Sequence, residues 1–196
     1  MIRAIIFDCF GVLISDAYTV IKREYPELYA DPARATELAR LSAKSGLGLI
    51  TSEERKTRIA ELLDSVGISG KSALEKAISG IEGNTALLAE IKELRKHYKI
   101  GLLSNVGIGF WKRFTKEETT EYFDDVVLSY QVGLVKPDPR IFELAAERLG
   151  VEVSECVFID DDEKNVKSAK DCGMQGITYD WDMDIKKALK NIGVTF

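Results

Sequence analysis

The chain carries a single histidine, three cysteines, a deficit of basic charge and no apolar run longer than a few residues. Stretches such as Ala4 to Phe7 and Val126 to Leu128 fall far short of the ~20 residues that cross a bilayer as a helix. Asp8 interrupts the apolar start, so no signal-peptide pattern is present and no membrane is expected as a partner. Cys9, Cys156 and Cys172 are odd in number and lack paired spacing, which disfavours a disulfide framework or a thiolate zinc site and makes a reducing cytoplasm the expected compartment. With 27 Lys and Arg against 32 Asp and Glu, the net charge is −5. A pI near 5.1 without a basic stripe argues against nucleic acid as the main partner. There is no internal repeat and no low-complexity segment.

What is present is a globular chain of 196 residues, 45% of them apolar, enough for one ordinary domain plus a small appendage. Short apolar runs ending in a polar residue predict strands at Arg3 to Asp8, Lys99 to Ser104, Val126 to Ser129 and Cys156 to Asp160, with a fifth at Gly176 to Tyr179. Apolar residues at helical spacing mark Thr85 to His97 and Ile141 to Leu149. Strands alternating with helices imply right-handed crossovers and an α/β fold with a doubly wound, mostly parallel sheet, whose ligands bind at the carboxyl ends of the strands. Asp8, Ser104, Ser129 and the Asp160 region all lie at such ends.

Between Leu13 and Glu82 the character changes to four helical stretches, about Asp16 to Tyr29, Pro32 to Lys44, Glu53 to Val66 and Lys71 to Ser79. Thr51 and Glu54 are spaced as a capping box. Residues 14 to 81 hold ten basic and ten acidic side chains, so the negative charge sits on the sheet portion. A bound cation is one reason for acid to concentrate there.

Each chemistry-bearing segment has a plain and a functional reading. Asp8 before Gly11 suits a turn or cap, or a nucleophile or metal ligand at a strand tip. Gly11 lets the chain turn sharply there. Asp160, Asp161 and Asp162 would repel one another unless a cation, a helix N-terminus or solvent separates them. Asp162 fits as an N-cap, and the two preceding carboxylates form either a solvated acidic turn or a hard-oxygen Mg²⁺ site. Ser104 and Asn105 form a polar turn or a phosphate site. In Lys136-Pro137-Asp138-Pro139, Asp138 can cap and Pro139 suits the first helical position, leaving Lys136 just before the helix as a surface charge or an active cation. Cys9 lacks the Arg of a cysteine-phosphatase loop, with Ser15 at that spacing, and reads as a buried strand thiol. His97 ends a helix as a favourable C-terminal charge. Phe110 and Trp111 read as core or loop anchors that could border the cleft.

Taken in order, Asp8, Ser104, Lys136 and the Asp160 turn resemble the four motifs of the haloacid dehalogenase (HAD) superfamily. The similarity covers residues 1–13 and 83–196 as a HAD-like Rossmannoid core, and 14–82 looks like its C1-type helical cap. Leu103-Ser104-Asn105, Phe110-Trp111, Leu128-Ser129, Lys136-Pro137 and Phe158-Ile159-Asp160-Asp161 look like the branch containing glucose-1-phosphate phosphatase and the phosphatase domain of epoxide hydrolases.

The resemblance implies a Mg²⁺-dependent phosphohydrolase acting on a small phosphorylated molecule, as a monomer or homodimer. Asp8 would be the nucleophile that forms an aspartyl-phosphate. Ser104 would bind the phosphoryl group and Lys136 would neutralise charge, with Asn105 and Gly11 completing the substrate-binding set. Mg²⁺ would be held by Asp8, the Phe10 carbonyl and Asp161, with Asp160 acting directly or through water. Phe10 departs from the family pattern, which usually has a general acid/base Asp there. Two rivals follow: a relative that binds phosphate or metal without turnover, and a 2-haloacid dehalogenase, whose members carry an aromatic residue at that position but not the paired Asp160 and Asp161. Lys22, Arg23, Lys44 and Arg55 are the candidate specificity residues of the cap.

Overall fold

The computed structural model describes residues 1–109 and 121–195, so Phe110 and Trp111 lie outside the described residues. Among these residues five strands form one all-parallel sheet in the order β3-β2-β1-β4-β5. They are β1 (Ala4–Phe7), β2 (Lys99–Ser104), β3 (Asp125–Leu128), β4 (Cys156–Asp160) and β5 (Gln175–Thr178). β1 is central, with Ile5 paired to Ile100 on one side and to Val157 on the other.

Side chains alternate along each strand, which divides the apolar runs between two cores. Ile5, Phe7, Ile100, Leu102, Val157 and Ile159 pack on one face against α5 (Thr85–Leu94) and α9 (Ile185–Asn191). Ala4, Ile6, Leu103, Val127 and Phe158 pack on the other against α7 (Pro139–Leu149) and α8 (Glu163–Asp171). There Phe142 meets Phe158 edge to face, with ring centroids 5.1 Å apart. Because all five strands run the same way, the segments following Asp8, Ser104, Leu128 and Asp160 gather along one edge of the sheet.

Above that edge lie α1 (Ala17–Glu24), α2 (Pro32–Gly46), α3 (Ser52–Asp64) and α4 (Gly70–Ser79). These helices have their own apolar cluster, in which Ile21, Leu28 and Leu63 are fully buried. The segments entering and leaving the layer are tied together: Ser15 N–H donates to the Glu82 carbonyl at 2.9 Å and Asn84 N–H to the Leu13 carbonyl at 2.8 Å. Asn84 Nδ2 also donates to the Tyr179 hydroxyl at 2.7 Å.

The expected elements occur with shifted ends. Pro26 lacks an amide hydrogen, so the first insert helix stops at Glu24 and gives way to a 3-10 turn, Pro26–Leu28, rather than running to Tyr29. The helix from Thr85 ends at Leu94 instead of His97. Ser129 belongs to a short helix, α6 (Ser129–Val132), that ends at Gly133 with φ +68°, rather than to a strand. The capping box of Thr51 with Glu54 and the N-caps Asp138 and Asp162 form as the spacing predicts.

Candidate active site

Asp8 follows β1 directly, its N–H held by the Ile159 carbonyl at 2.9 Å. The Lys136 ammonium, on the loop before α7, lies 2.7 Å from Asp8 Oδ1 and 2.6 Å from Asp160 Oδ2, and all three residues are buried. Burial works against the Lys136 charge, but Asp8 and Asp160 outweigh it and raise its pKa. For Asp8 burial dominates and pushes the carboxyl up to about 7, with Lys136 opposing and Asp160 reinforcing the rise. One ammonium between two carboxylates leaves a net negative charge that a further cation would satisfy.

The remaining oxygens of Asp160 are filled. Its Oδ1 accepts from Asp162 N–H at 2.8 Å, and Asn165 Nδ2 donates to both oxygens at 3.2 and 3.1 Å. Asp161, exposed at the mouth of the site, is left facing Asp8, its carboxyl raised to about 6 by partial desolvation first and by Asp160 second. One carboxylate oxygen from each of Asp8, Asp160 and Asp161 lies within 4.8 Å of the others, a set of hard donors that fits Mg²⁺. Gly11 makes this approach possible. It has φ +80°, and a Cβ there would lie 2.3 Å from Asp161 Cγ. Its N–H is bound to the Ile14 carbonyl and its own carbonyl accepts from Trp181 Nε1.

At the end of β2, the strand paired with β1, Ser104 Oγ is buried without a hydrogen-bond partner among the described residues. The Asn105 side chain is spent on the Lys136 backbone, donating to its carbonyl at 2.9 Å and accepting from its N–H at 2.8 Å. It therefore fixes the lysine loop. Ser129 plays a similar part for the loop after β2, accepting from Val106 N–H and donating to the Val106 carbonyl.

A cavity of about 280 Å³ opens above Asp8, Lys136, Asp160 and Asp161 and is roofed by Asp16, Tyr18, Thr19, Ser42 and Arg55. Of the four basic insert residues singled out in the sequence, the fold brings only Arg55 to this cavity. Lys22 and Arg23 are exposed in the last turn of α1, and Lys44 lines a separate cleft. Phe10 also borders the cavity and lies half-buried. Cys9 is buried, and desolvation drives its thiol far above the ordinary range, so it has no nucleophilic character. His97 is exposed just ahead of β2, at the opposite edge of the sheet. Asn165 was not anticipated. Its signal was positional, since a helix capped by Asp162 turns its third residue back toward the strand end.

A family model for haloacid dehalogenase-like hydrolases matches residues 2–173. The chain belongs to that family. This hydrolase is 28% identical over 190 residues to phosphatase MT3486 of Mycobacterium tuberculosis, covering 91% of this chain and 88% of that protein. It superposes on the HAD family enzyme bt-2542 of Bacteroides thetaiotaomicron, solved with magnesium and inorganic phosphate, with a TM-score of 0.70 and 27% identity. That alignment covers 96% of this chain and 99% of the other. A local match to bifunctional epoxide hydrolase 2 of Rattus norvegicus is 40% identical over 57 residues, 29% of this chain and 10% of that protein.

The raised Asp8 pKa has a stability consequence. Because burial raises the Asp8 pKa from 3.8 to about 7, the Asp8 contribution to metal-free stability falls as pH rises from about 4 to about 7. Asp8→Asn removes this titration. In metal-free protein its melting temperature relative to the parent should rise between about pH 4 and about pH 7. A pH-independent difference between the two melting curves would contradict the assignment.

Proposed function

We propose that this hydrolase is a Mg²⁺-dependent phosphatase that acts on a small phosphorylated metabolite through an aspartyl-phosphate on Asp8. The observation that carries the reading is the buried Lys136 ammonium between Asp8 and Asp160, with the Ser104 hydroxyl at the end of the neighbouring strand unpartnered among the described residues. Phosphoryl transfer chiefly needs a positioned nucleophile and positive charge around the equatorial oxygens. In this reading an ionised Asp8 oxygen attacks phosphorus as the bond to the leaving oxygen breaks, and that oxygen departs with the bonding pair and takes its proton from solvent. Lys136 holds Asp8 in line and neutralises phosphoryl charge, while Ser104 donates to a phosphoryl oxygen. Water then attacks phosphorus and releases phosphate, restoring the Asp8 carboxylate.

When bound, Mg²⁺ supplies charge neutralisation on phosphoryl oxygens. Asp8, Asp161 and the Phe10 carbonyl would hold it, with Asp160 contributing chiefly by orienting Lys136, because its own oxygens are already engaged. We read residues 14–82 as a cap whose helices close the cleft, and the cytoplasm as its compartment. Among the described residues no helix is long and apolar enough to cross a membrane.

Phe10 supports the second reading, a relative that binds phosphate or metal with little turnover, since a phenyl ring cannot transfer a proton. The paired Asp160 and Asp161 speak against the dehalogenase reading, because halide displacement needs no metal.

Phosphate release from a panel of aryl, acyl and sugar phosphates should require Mg²⁺, disappear with EDTA and return on adding the metal, with Asp8→Asn inactive throughout. Turnover indifferent to EDTA would refute the metal role, and chloride release from 2-chloropropionate would then identify a dehalogenase. Because no side chain at position 10 protonates the leaving oxygen, aryl and acyl phosphates should outrun alkyl esters. Phe10→Asp should raise turnover of alkyl esters more than of aryl esters, by at most the ~10²- to 10⁴-fold typical of general acid/base groups. A folded, Mg²⁺-binding Phe10→Asp protein with no gain on any substrate, together with a parent that releases no phosphate, would establish the non-catalytic reading.

A further inference from the structure

We propose that Arg55 selects the substrate, and that the substrate is a phosphomonoester whose leaving group carries a second anionic group, a carboxylate or another phosphate. The proposal rests on the phosphatase reading above and deepens it. Arg55 lies in the first turn of α3, with its guanidinium carbon 3.8 Å above the Tyr18 ring and its Nη2 donating to Ser42 Oγ at 3.3 Å. Its Nε is buried and has no hydrogen-bond partner among the described residues. In the same helical layer Arg34, Arg40 and Arg58 pair with Asp31, Glu37 and Glu61. Arg55 makes no ion pair among the described residues. The acids near Tyr18 are otherwise committed: Asp16 accepts from Tyr18 N–H and Thr19 N–H as the cap of α1, and Glu53 pairs with Lys56 at 3.2 Å.

A half-buried guanidinium, held flat by a ring and a hydroxyl and left with a donor unused among the described residues, is preorganised for an anion. Arg55 shares the 280 Å³ cavity with Asp8 and Lys136, so a ligand with its phosphoryl group on Asp8 presents its leaving group to the roof. A second cavity of about 360 Å³ shares Phe10, Tyr18 and Arg55 with the first and adds Ile78, Ile81 and Val106. It offers an apolar seat for the body of that leaving group, with Arg55 at the boundary between the two spaces.

The test compares 4-carboxyphenyl phosphate and 1,4-phenylene bisphosphate with 4-carbamoylphenyl phosphate, which has the shape of the carboxylate without its charge, using the Mg²⁺-loaded full chain. At least one anionic probe should exceed the carboxamide in kcat/KM by roughly tenfold to a hundredfold, the range of a charged hydrogen bond, and chiefly through KM. The better probe tells carboxylate from phosphate. Arg55→Gln should collapse the ratio toward one, and Arg55→Lys should keep part of it, with melting curves showing that both variants fold. A parent that hydrolyses all three equally, or a ratio that survives Arg55→Gln, overturns the Arg55 proposal and leaves the phosphatase reading intact. If no probe turns over, the wider substrate panel decides the phosphatase reading, and calorimetry with 4-carboxyphenylphosphonate and its carboxamide decides on Arg55. Tighter binding of the carboxylate that is lost in Arg55→Gln sustains the proposal, and equal binding overturns it.

Discussion

Lys136 is 5% exposed and has two carboxylates within 2.7 Å, and the arrangement of the strand ends follows from keeping that ammonium charged. A lone buried lysine would lose its proton, and two buried carboxylates without it would take theirs up. The triad therefore holds only if its geometry is enforced from outside. Asn105 clamps the Lys136 backbone from β2, Asn165 and the Asp162 amide fill Asp160 from α8, and the Ile159 carbonyl fixes the start of Asp8. Removing one member of such a buried set typically costs about 3–5 kcal/mol, whereas replacing a whole set by apolar residues is often neutral. Stability alone does not account for this arrangement, and the chemistry proposed for Asp8 does.

The triad also sets what can bind next to it. Asp160 is saturated by donors, so the uncompensated charge falls on Asp8 and Asp161, the two carboxylates with room for a cation. Gly11 belongs to the same constraint: its missing side chain is the space that Asp161 occupies. Phe10 stands between this polar floor and the apolar cavity under the helical layer, bordering both. In that position a phenyl ring forgoes proton transfer and adds apolar wall, which fits a substrate with a good leaving group and an apolar body.

Much of this was legible in the residues. Short Ile/Val/Leu runs ending at Asp8, Ser104 and Asp160 marked buried parallel strands, because nothing else packs four to six apolar residues between two turns so often. Parallel topology then placed their ends together. Local capping chemistry was equally readable at Thr51, Asp138 and Asp162. The side-chain pairings were not. That Asn105 would serve Lys136 rather than a ligand, that Gly11 would make room for Asp161, and that Arg55 rather than Lys22, Arg23 or Lys44 would reach the cleft are all consequences of tertiary placement. So are the helix Ile185–Asn191, docked on the sheet by Ile185 and Leu189, and the bond from Trp181 to Gly11. Contacts of this kind join residues from 31 to 170 positions apart, beyond any periodicity in the chain.

The central claim is that Asp8 takes the phosphoryl group, and rapid quenching of a single turnover tests it most directly. Borohydride reduction of the acid-quenched protein, followed by peptide mass spectrometry, should locate a reduced acyl phosphate at position 8, absent without substrate and absent in Asp8→Asn. Release of phosphate by the parent with no adduct on Asp8, or with the label on Cys9, would contradict the account.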